Sequence, residues 1–373
     1  MSRRTSDPGR ALRAALLVGL LGCGDSAPAS SRTIDICGRD SGLAGALAGG
    51  QLRLTIQSAA GAPIVDATVP VDRGTSVALP GAGTGDLVVV EGLDATAAPI
   101  ALGSVTLDDA GGCVCLARRS WRAVAVTTES GGATRYGTHA GFLVGTPPPG
   151  LVASTPLSLD HGRVAAGDRL VVSFGFTNTT QTTLDVHALQ IVARPPGATH
   201  ASGLVTDFTG QPSMQLAPGA TFSGQASRGF GSADPPGIWA IFARTVDALD
   251  VAHDGPELEI LVGAGSEPLL PATPLRLGKS WIAPGESLHG DQQLDNRGTA
   301  PVALASALLS ARAPGQADAD APSYDFSNPT SGTVAAGGSI NLSGDRPFDQ
   351  TADPCAGVVC TVQDGACRFS PTR

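Results

Sequence analysis

Leu170-Val171-Val172-Ser173-Phe174-Gly175-Phe176-Thr177 sets Leu, Val, Phe and Phe at every second position, with Val171, Ser173, Gly175 and Thr177 between them. Successive side chains of an extended chain point to opposite sides, so this is the period of a strand with one buried face. A helix would space its apolar residues three and four apart. No long segment beyond the N-terminal apolar run does so. The stretch therefore predicts a chain built of strands.

Farther along the chain, Leu184 to Ala193 reads as a second long strand and Met214 to Leu216 as a short one. Thr221 to Phe230, Ile238 to Arg244 and Leu258 to Val262 follow. Ala165-Ala166-Gly167-Asp168 and Leu216-Ala217-Pro218-Gly219 have the composition of turns that open strands. A shift of 118 residues lays Thr155-Pro156-Leu157 on Thr273-Pro274-Leu275, Asn178 on Asn296 and Ala193-Arg194 on Ala311-Arg312. The same shift lays Asp207-Phe208 on Asp325-Phe326, Gly219 on Gly337, Arg228 on Arg346 and Phe230 on Phe348. One ungapped offset serving all of these means two copies of one module. The pattern resembles the immunoglobulin-like repeats of bacterial envelope proteins, which implies a β-sandwich scaffold and no particular activity. On this reading Phe174, Phe176, Leu189, Ile191 and Trp239 are core, with Leu294 and Leu309 in the equivalent sites. The partner of Leu258–Val262 would lie past Arg373, so the second copy either lacks that strand or takes it from the tail.

Upstream, Thr33 to Thr127 carries short apolar or alternating runs at Leu52–Ile56, Ala67–Val71, Ser76–Leu79, Asp86–Val90 and Ile100–Leu107, divided by Gly and Pro turns. The segment Leu79-Pro80-Gly81 through Asp94 resembles a hairpin of bacterial surface β-sandwich modules. Gly81 to Gly85 lacks the Lys-Ser/Thr of a phosphate loop and reads as a turn. Thr146-Pro147-Pro148-Pro149-Gly150 reads as a stiff linker. Charged residues make up 15% of the chain, against about 25% in soluble domains. With 49 Gly and 28 Pro, that favours strands and tight turns.

At the N-terminus Arg3, Arg4, Arg10 and Arg13 precede a short apolar run that ends in Leu20-Leu21-Gly22-Cys23. This resembles the lipobox of bacterial lipoproteins. The resemblance implies that the Cys23 thiol receives a diacylglyceryl group and becomes the N-terminus after cleavage. It further implies a cell-envelope location on a membrane anchor, with Gly24 pointing to the outer membrane of a two-membrane host. Removing Arg3, Arg4, Arg10, Arg13 and Asp7 takes the formal charge from −9 to −12, which excludes the basic footprint of a nucleic-acid binder. Gly24 to Arg32 is a flexible tether reaching on the order of 15–20 Å.

Six further cysteines, Cys37, Cys113, Cys115, Cys355, Cys360 and Cys367, are disulfide candidates in an exported chain. Cys37 is expected to pair with Cys113 or Cys115, and Cys360 with Cys355 or Cys367. Each cluster holds three, so either one bond joins the clusters or each keeps a free thiol. The proline run favours the second arrangement, an extended string of modules. No zinc-type spacing is present and no metal or cofactor is expected. No HExxH, GxSxG or catalytic-cysteine pattern occurs, so no catalytic residue is expected and the chain is read as a non-enzyme. Asp160-His161 and His253-Asp254 read as solvated turns, and Asp318/Asp320 as a surface loop. Trp239 belongs to the core, Trp121 suits the core of the first domain, and Trp281 is the one candidate ligand contact.

The expectation is an all-β protein of three tandem immunoglobulin-like β-sandwich modules. Residues 1–22 form the lipoprotein signal peptide, 23–32 the tether, 33–128 the first sandwich and 129–150 a Gly/Pro-rich linker. Residues 151–264 and 268–350 form the two repeats, and 351–373 a cysteine-containing tail. The expected role is structural or protein-interacting, the partner an unknown envelope protein; binding of a glycan is the alternative.

Overall fold

The computed structural model describes residues 32–38, 49–58, 63–70, 76–79, 82–107, 112–118, 120–145, 150–209, 213–246, 250, 252–283, 285–314, 316–320, 324–326, 329–348, 358–363 and 366–371. Among them there are strands and turns and no helix. The all-β expectation holds.

The alternating stretch lies in Arg169–Asn178, the middle strand of a three-stranded sheet between Leu151–Leu159 and Thr221–Gly229. Leu170, Val172, Phe174 and Phe176 all turn inward. They meet a second layer containing Ala188–Arg194, Gly237–Val246 and Leu258–Val262. Phe230, just beyond one sheet, and Trp239, on the other, cross edge to face at 5.3 Å. Phe174, Phe176, Leu189, Ile191 and Trp239 are buried as expected, as are Leu294 and Leu309 in the second copy.

The second copy repeats the details. Ser287–Asn296 pairs with Leu269–Pro271, Arg276–Leu277 and Ser339–Pro347. The buried amide of Asn178 donates to the carbonyls of Thr182 and Leu216 at 2.7 and 2.8 Å. Asn296 does the same to Ala300 and Val334, both at 2.9 Å. Each Asn thus satisfies backbone groups that its loop would otherwise bury unpaired. At the strand-opening turns, Gly167 and Gly285 take φ of 98° and 90°, a region costly to any residue with a Cβ.

What completes the second copy is the main departure from expectation. Its last strands come from upstream, from the hairpin Ser120–Glu129 and Thr134–Val144. Ser120–Glu129 pairs with Val302–Arg312 in the register Ser310↔Val124, Ala311↔Ala123 and Arg312↔Arg122. The first copy has Val192↔Phe242, Ala193↔Ile241 and Arg194↔Ala240. The offset of 118 therefore runs backwards through the hairpin, so that Trp121 is the equivalent of Trp239. Trp121 crosses Phe348 at 5.4 Å, just as Trp239 crosses Phe230. Gly145 N–H donates to Ile282 O and Gly263 N–H to Val164 O, both at 2.8 Å.

Several boundaries change accordingly. The segment expected as a linker, 129–150, holds the strand Thr134–Val144; residues 146–149, with their prolines, lie outside the described residues. The strand Ser120–Glu129, expected in the first domain, belongs with Trp121 to the second sandwich. The repeats are not consecutive: the first, 150–262, is inserted between the hairpin and the remainder of the second. Among its described residues the tail does not supply the missing strand. Its hairpin, Val358–Gln363 with Ala366–Pro371, lies beside Gly112–Arg118 and Arg32–Gly38 of the first domain. The tail hairpin thus folds back onto the first domain, and the extended arrangement is corrected.

The two sandwiches join edge to edge. Leu258–Val262 runs antiparallel to Thr134–Val144 with Leu258 opposite Ala140, two residues 118 apart and hence equivalent. Equivalent residues facing each other antiparallel is the pairing a twofold axis produces. An 11-stranded sheet results, with one hydrophobic core running through both sandwiches. The first domain keeps its own core, around Ile34, Leu52, Leu54, Val88, Val90 and Val114, within a seven-stranded sheet.

The shared core makes Trp121→Ala a test of strand donation. The substitution should cost about 3–5 kcal/mol. Hydrogen-exchange protection should fall in Ser287–Asn296 and Ser339–Pro347, while Gln51–Gln57 and Leu87–Leu93 of the first domain keep theirs.

Candidate functional site

The approximate twofold axis carries a cluster of charged side chains on one face of the shared sheet. The hairpin strand contributes His139 and the first copy's last strand Glu259, with Glu257 just before it. Gly141 permits this approach, since a Cβ there would lie 2.9 Å from Glu257 N and O. His139 Nδ1 lies 2.7 Å from Glu259 Oε2, and Nε2 lies 2.9 Å from Asp318 Oδ1. His200 Nδ1 is 3.0 Å from Asp254 Oδ2 and Nε2 is 2.8 Å from Glu257 Oε1. Arg194 grips Glu257 through two bonds of 2.9 and 2.6 Å. Arg244 holds Asp254 likewise, at 2.6 and 2.8 Å. Such forked pairs are the strongest form of the interaction.

Symmetry explains the layout and charge breaks it. Position 318 is the equivalent of 200, and 257 the equivalent of 139. One side of the axis therefore carries His200 with Glu257, the other Asp318 with His139: the same contact with its charges exchanged. Each of these contacts lies within one copy, and the pair that crosses from copy to copy is His139–Glu259; two first copies would set Glu257 against Glu259 there.

Each imidazole faces carboxylates through both ring nitrogens. Carboxylates only accept, so both nitrogens must carry hydrogen and each ring is an imidazolium. Burial alone would lower the pKa of His139, but hydrogen bonds and charge from Asp318 and Glu259 prevail and raise it to about 9. His200, opposed in the same way by burial, is raised to about 9 by Asp254 and Glu257. Burial would raise Asp254 and Glu257; Arg244 with His200, and His200 with Arg194, hold them below their ordinary values instead. Asp318 is lowered chiefly by its bond to His139. A histidine kept protonated up to about pH 9 is a donor rather than a base at neutral pH. The cluster is suited to tying two sandwiches in register.

The first domain closes over this face. A cleft of about 580 Å³ remains, with Pro99, Ile100 and Phe142 on its apolar side and the ionic cluster on the other. Arg53 and His253 both reach Glu91, each at 3.2 Å, and Arg53 donates to Ala252 O at 2.7 Å. Burial would raise the Glu91 pKa, but His253 and Arg53 hold it below the ordinary glutamate value. This triad pins the first domain to the first copy.

Cys23 and Cys355 lie outside the described residues. Cys37 and Cys115 stand opposite each other in register on the parallel strands Arg32–Gly38 and Gly112–Arg118, with Cys113 opposite Asp35. Cys360 and Cys367 sit on the two strands of the tail hairpin, opposite Phe369 and Val362. Trp281 is half-buried on the short strand Trp281–Ile282, and its indole N–H donates to Gly145 O. It borders a separate cleft of about 200 Å³ against the first domain. His253 and Asp254 are not a solvated turn: they lie on a strand, His253 bound to Glu91 and Asp254 to His200 and Arg244. Asp318, expected on a surface loop, is bound to His139, while Asp320 accepts from Ala317 N–H at 2.6 Å. Among the described residues no group of three His, Cys, Asp or Glu side chains is placed to hold a metal ion.

Sequence reasoning missed the cluster, whose members come from segments as far apart as His139 and Asp318. One signal was available. Carrying the 118-residue offset back below Thr155 aligns Trp121 with Trp239, Leu143 with Leu261, Val144 with Val262 and Gly145 with Gly263, which exposes the hairpin.

No family model matches the chain, and no curated protein does. Among solved structures, the sporulation control protein Spo0M from Bacillus subtilis matches at a TM-score of 0.24 and 9% identity, over 43% of this chain and 79% of that one. A mutant of Salmonella alpha-2-macroglobulin matches at 0.22 and 11%, over 80% of this chain and 26% of that one. BcpA, the major pilin subunit of Bacillus cereus, matches at 0.16 and 9%, over 90% and 91%. These are faint likenesses and carry no argument about this chain.

The histidines generate a pH prediction. Their folded pKa lies above the unfolded value of 6.5. Their contribution is therefore complete below about pH 6.5 and lost as pH rises through 9. Each should be worth on the order of 3 kcal/mol. The paired carboxylates act oppositely, their share being lost as pH falls below about 4. Thermal unfolding should show the body less stable at pH 9 than at pH 6, and the double variant H139Q/H200Q should flatten that slope.

Proposed function

We propose that this chain is a lipid-anchored protein of the bacterial cell envelope, with a structural or protein-interaction role carried by immunoglobulin-like sandwiches. The observation that carries the reading is Leu20-Leu21-Gly22-Cys23 behind four arginines and ahead of the polar tether Gly24 to Arg32. Diacylation at Cys23 would confine the body within about 15–20 Å of the lipid. The outer membrane is the destination that Gly24 suggests. The nature of the large cleft supports a scaffold role: its histidines and their carboxylates are spent on one another, which stiffens the body.

Glycan binding is the alternative, centred on Trp281. Its indole N–H is already engaged, leaving the ring alone to meet a ligand. Cys23→Ser tests the anchor. The wild-type protein should partition into the detergent phase, and the variant should remain an uncleaved or soluble precursor. Equal partitioning of the two would refute lipidation. Retention on purified cell-wall glycan, lost in Trp281→Ala, would replace the interaction reading with the alternative.

A further inference from the structure

The fold brings the two cysteine clusters together. Val358–Gln363, carrying Cys360, runs beside Gly112–Arg118, the strand that carries Cys113 and Cys115. Ala366–Pro371, carrying Cys367, runs beside Arg32–Gly38, which carries Cys37. Five of the six candidate cysteines thus occupy neighbouring strands of one small region, although their clusters lie at opposite ends of the chain. Parity adds an independent constraint: with three cysteines in each cluster, complete pairing requires an odd number of bonds between clusters.

We propose that a disulfide joins the tail to the first domain, formed by Cys360 and a cysteine of the Gly112–Arg118 strand. The inference rests on the export reading above, since a reducing compartment would keep these thiols free. The chemistry is thiol–disulfide exchange with a disulfide donor of the envelope. One protein thiolate attacks the donor disulfide and forms a mixed disulfide, and the second then displaces the donor thiol. The two cysteines lose two electrons and two protons, and the donor disulfide is reduced to two thiols. The bond ties the first domain to the end of the chain around both sandwiches, a covalent ring closed outside the interleaved strands. The tail then acts as a clasp.

A cut within the ring reads this out. Gly131 and Gly132 form the exposed tip of the donated hairpin, with no other atoms within 4 Å of where a Cβ would stand. A protease recognition sequence inserted there separates the cluster of Cys37, Cys113 and Cys115 from that of Cys355, Cys360 and Cys367. The full-length protein is taken from the membrane fraction, its thiols are blocked by alkylation, and it is cleaved and run on a denaturing gel. The expected result is one monomer-sized band without reductant, two bands with reductant, and no alkylated cysteine. Peptide mapping of the uncut protein should find Cys360 joined to the peptide containing Cys113 and Cys115. Two bands without reductant and one alkylated cysteine in each cluster would overturn the proposal while leaving export intact. Two bands with all six cysteines alkylated would overturn the export reading along with it. A disulfide-linked oligomer, or a link made only through Cys355 or Cys367, would also overturn it.

Discussion

The second sandwich is closed by strands that precede it in the chain. Its sheet stops at Val302–Arg312 with an edge whose backbone groups need a partner, and its core lacks the large aromatic that Trp239 supplies in the first copy. The hairpin from 120–144 provides both, pairing along Val302–Arg312 and placing Trp121 and Phe142 against Phe348. An edge left open would be a template for association with other chains. Here the chain's own upstream segment covers it. The cost is entropic: strands more than 170 residues apart in sequence must be brought together, although loop-closure cost grows only slowly with length.

Interleaving makes the body one cooperative unit. The first copy is inserted between the hairpin and the rest of the second, and the two last strands then pair with each other across the approximate twofold axis. Strands and core pass continuously from one sandwich to the other. A simple string of modules would unfold piece by piece; a shared core couples the pieces. The charge exchange at the axis belongs to the same design. His200–Glu257 and Asp318–His139 occupy equivalent places with opposite polarity, each within its own copy; the pair that crosses, His139–Glu259, would be carboxylate against carboxylate between two first copies, which favours joining unlike copies. Removing one member would leave a largely buried charge without its partner, the costly case for any buried ion pair.

The cleft above the axis shows how architecture limits chemistry. His139 and His200 sit in a cavity of useful size, the setting in which a catalytic base is often sought. Their neighbours decide otherwise, because two carboxylates around each ring hold the proton in place. Fold and cleft together describe a stiff, acidic β body, and the N-terminal motif gives the reason for reading it as tethered.

Local periodicity and repetition are legible in the residues alone. Alternation at Leu170 to Phe176 selects a strand and its buried face, because side-chain direction in an extended chain depends only on parity. The 118-residue offset establishes two copies and predicts that Leu294 and Leu309 are core, because equivalent residues in one fold meet equivalent surroundings. Which strands complete which sheet is settled by long-range packing instead. Ser120–Glu129 has the same alternation whether it closes the first domain or the second sandwich, and a backbone edge accepts any strand in register. The choice rests on Trp121 fitting beside Phe348, a contact across more than 200 residues. The ionic cluster is of the same kind: His139, Glu259 and Asp318 acquire their protonation states only when folding brings them to the axis.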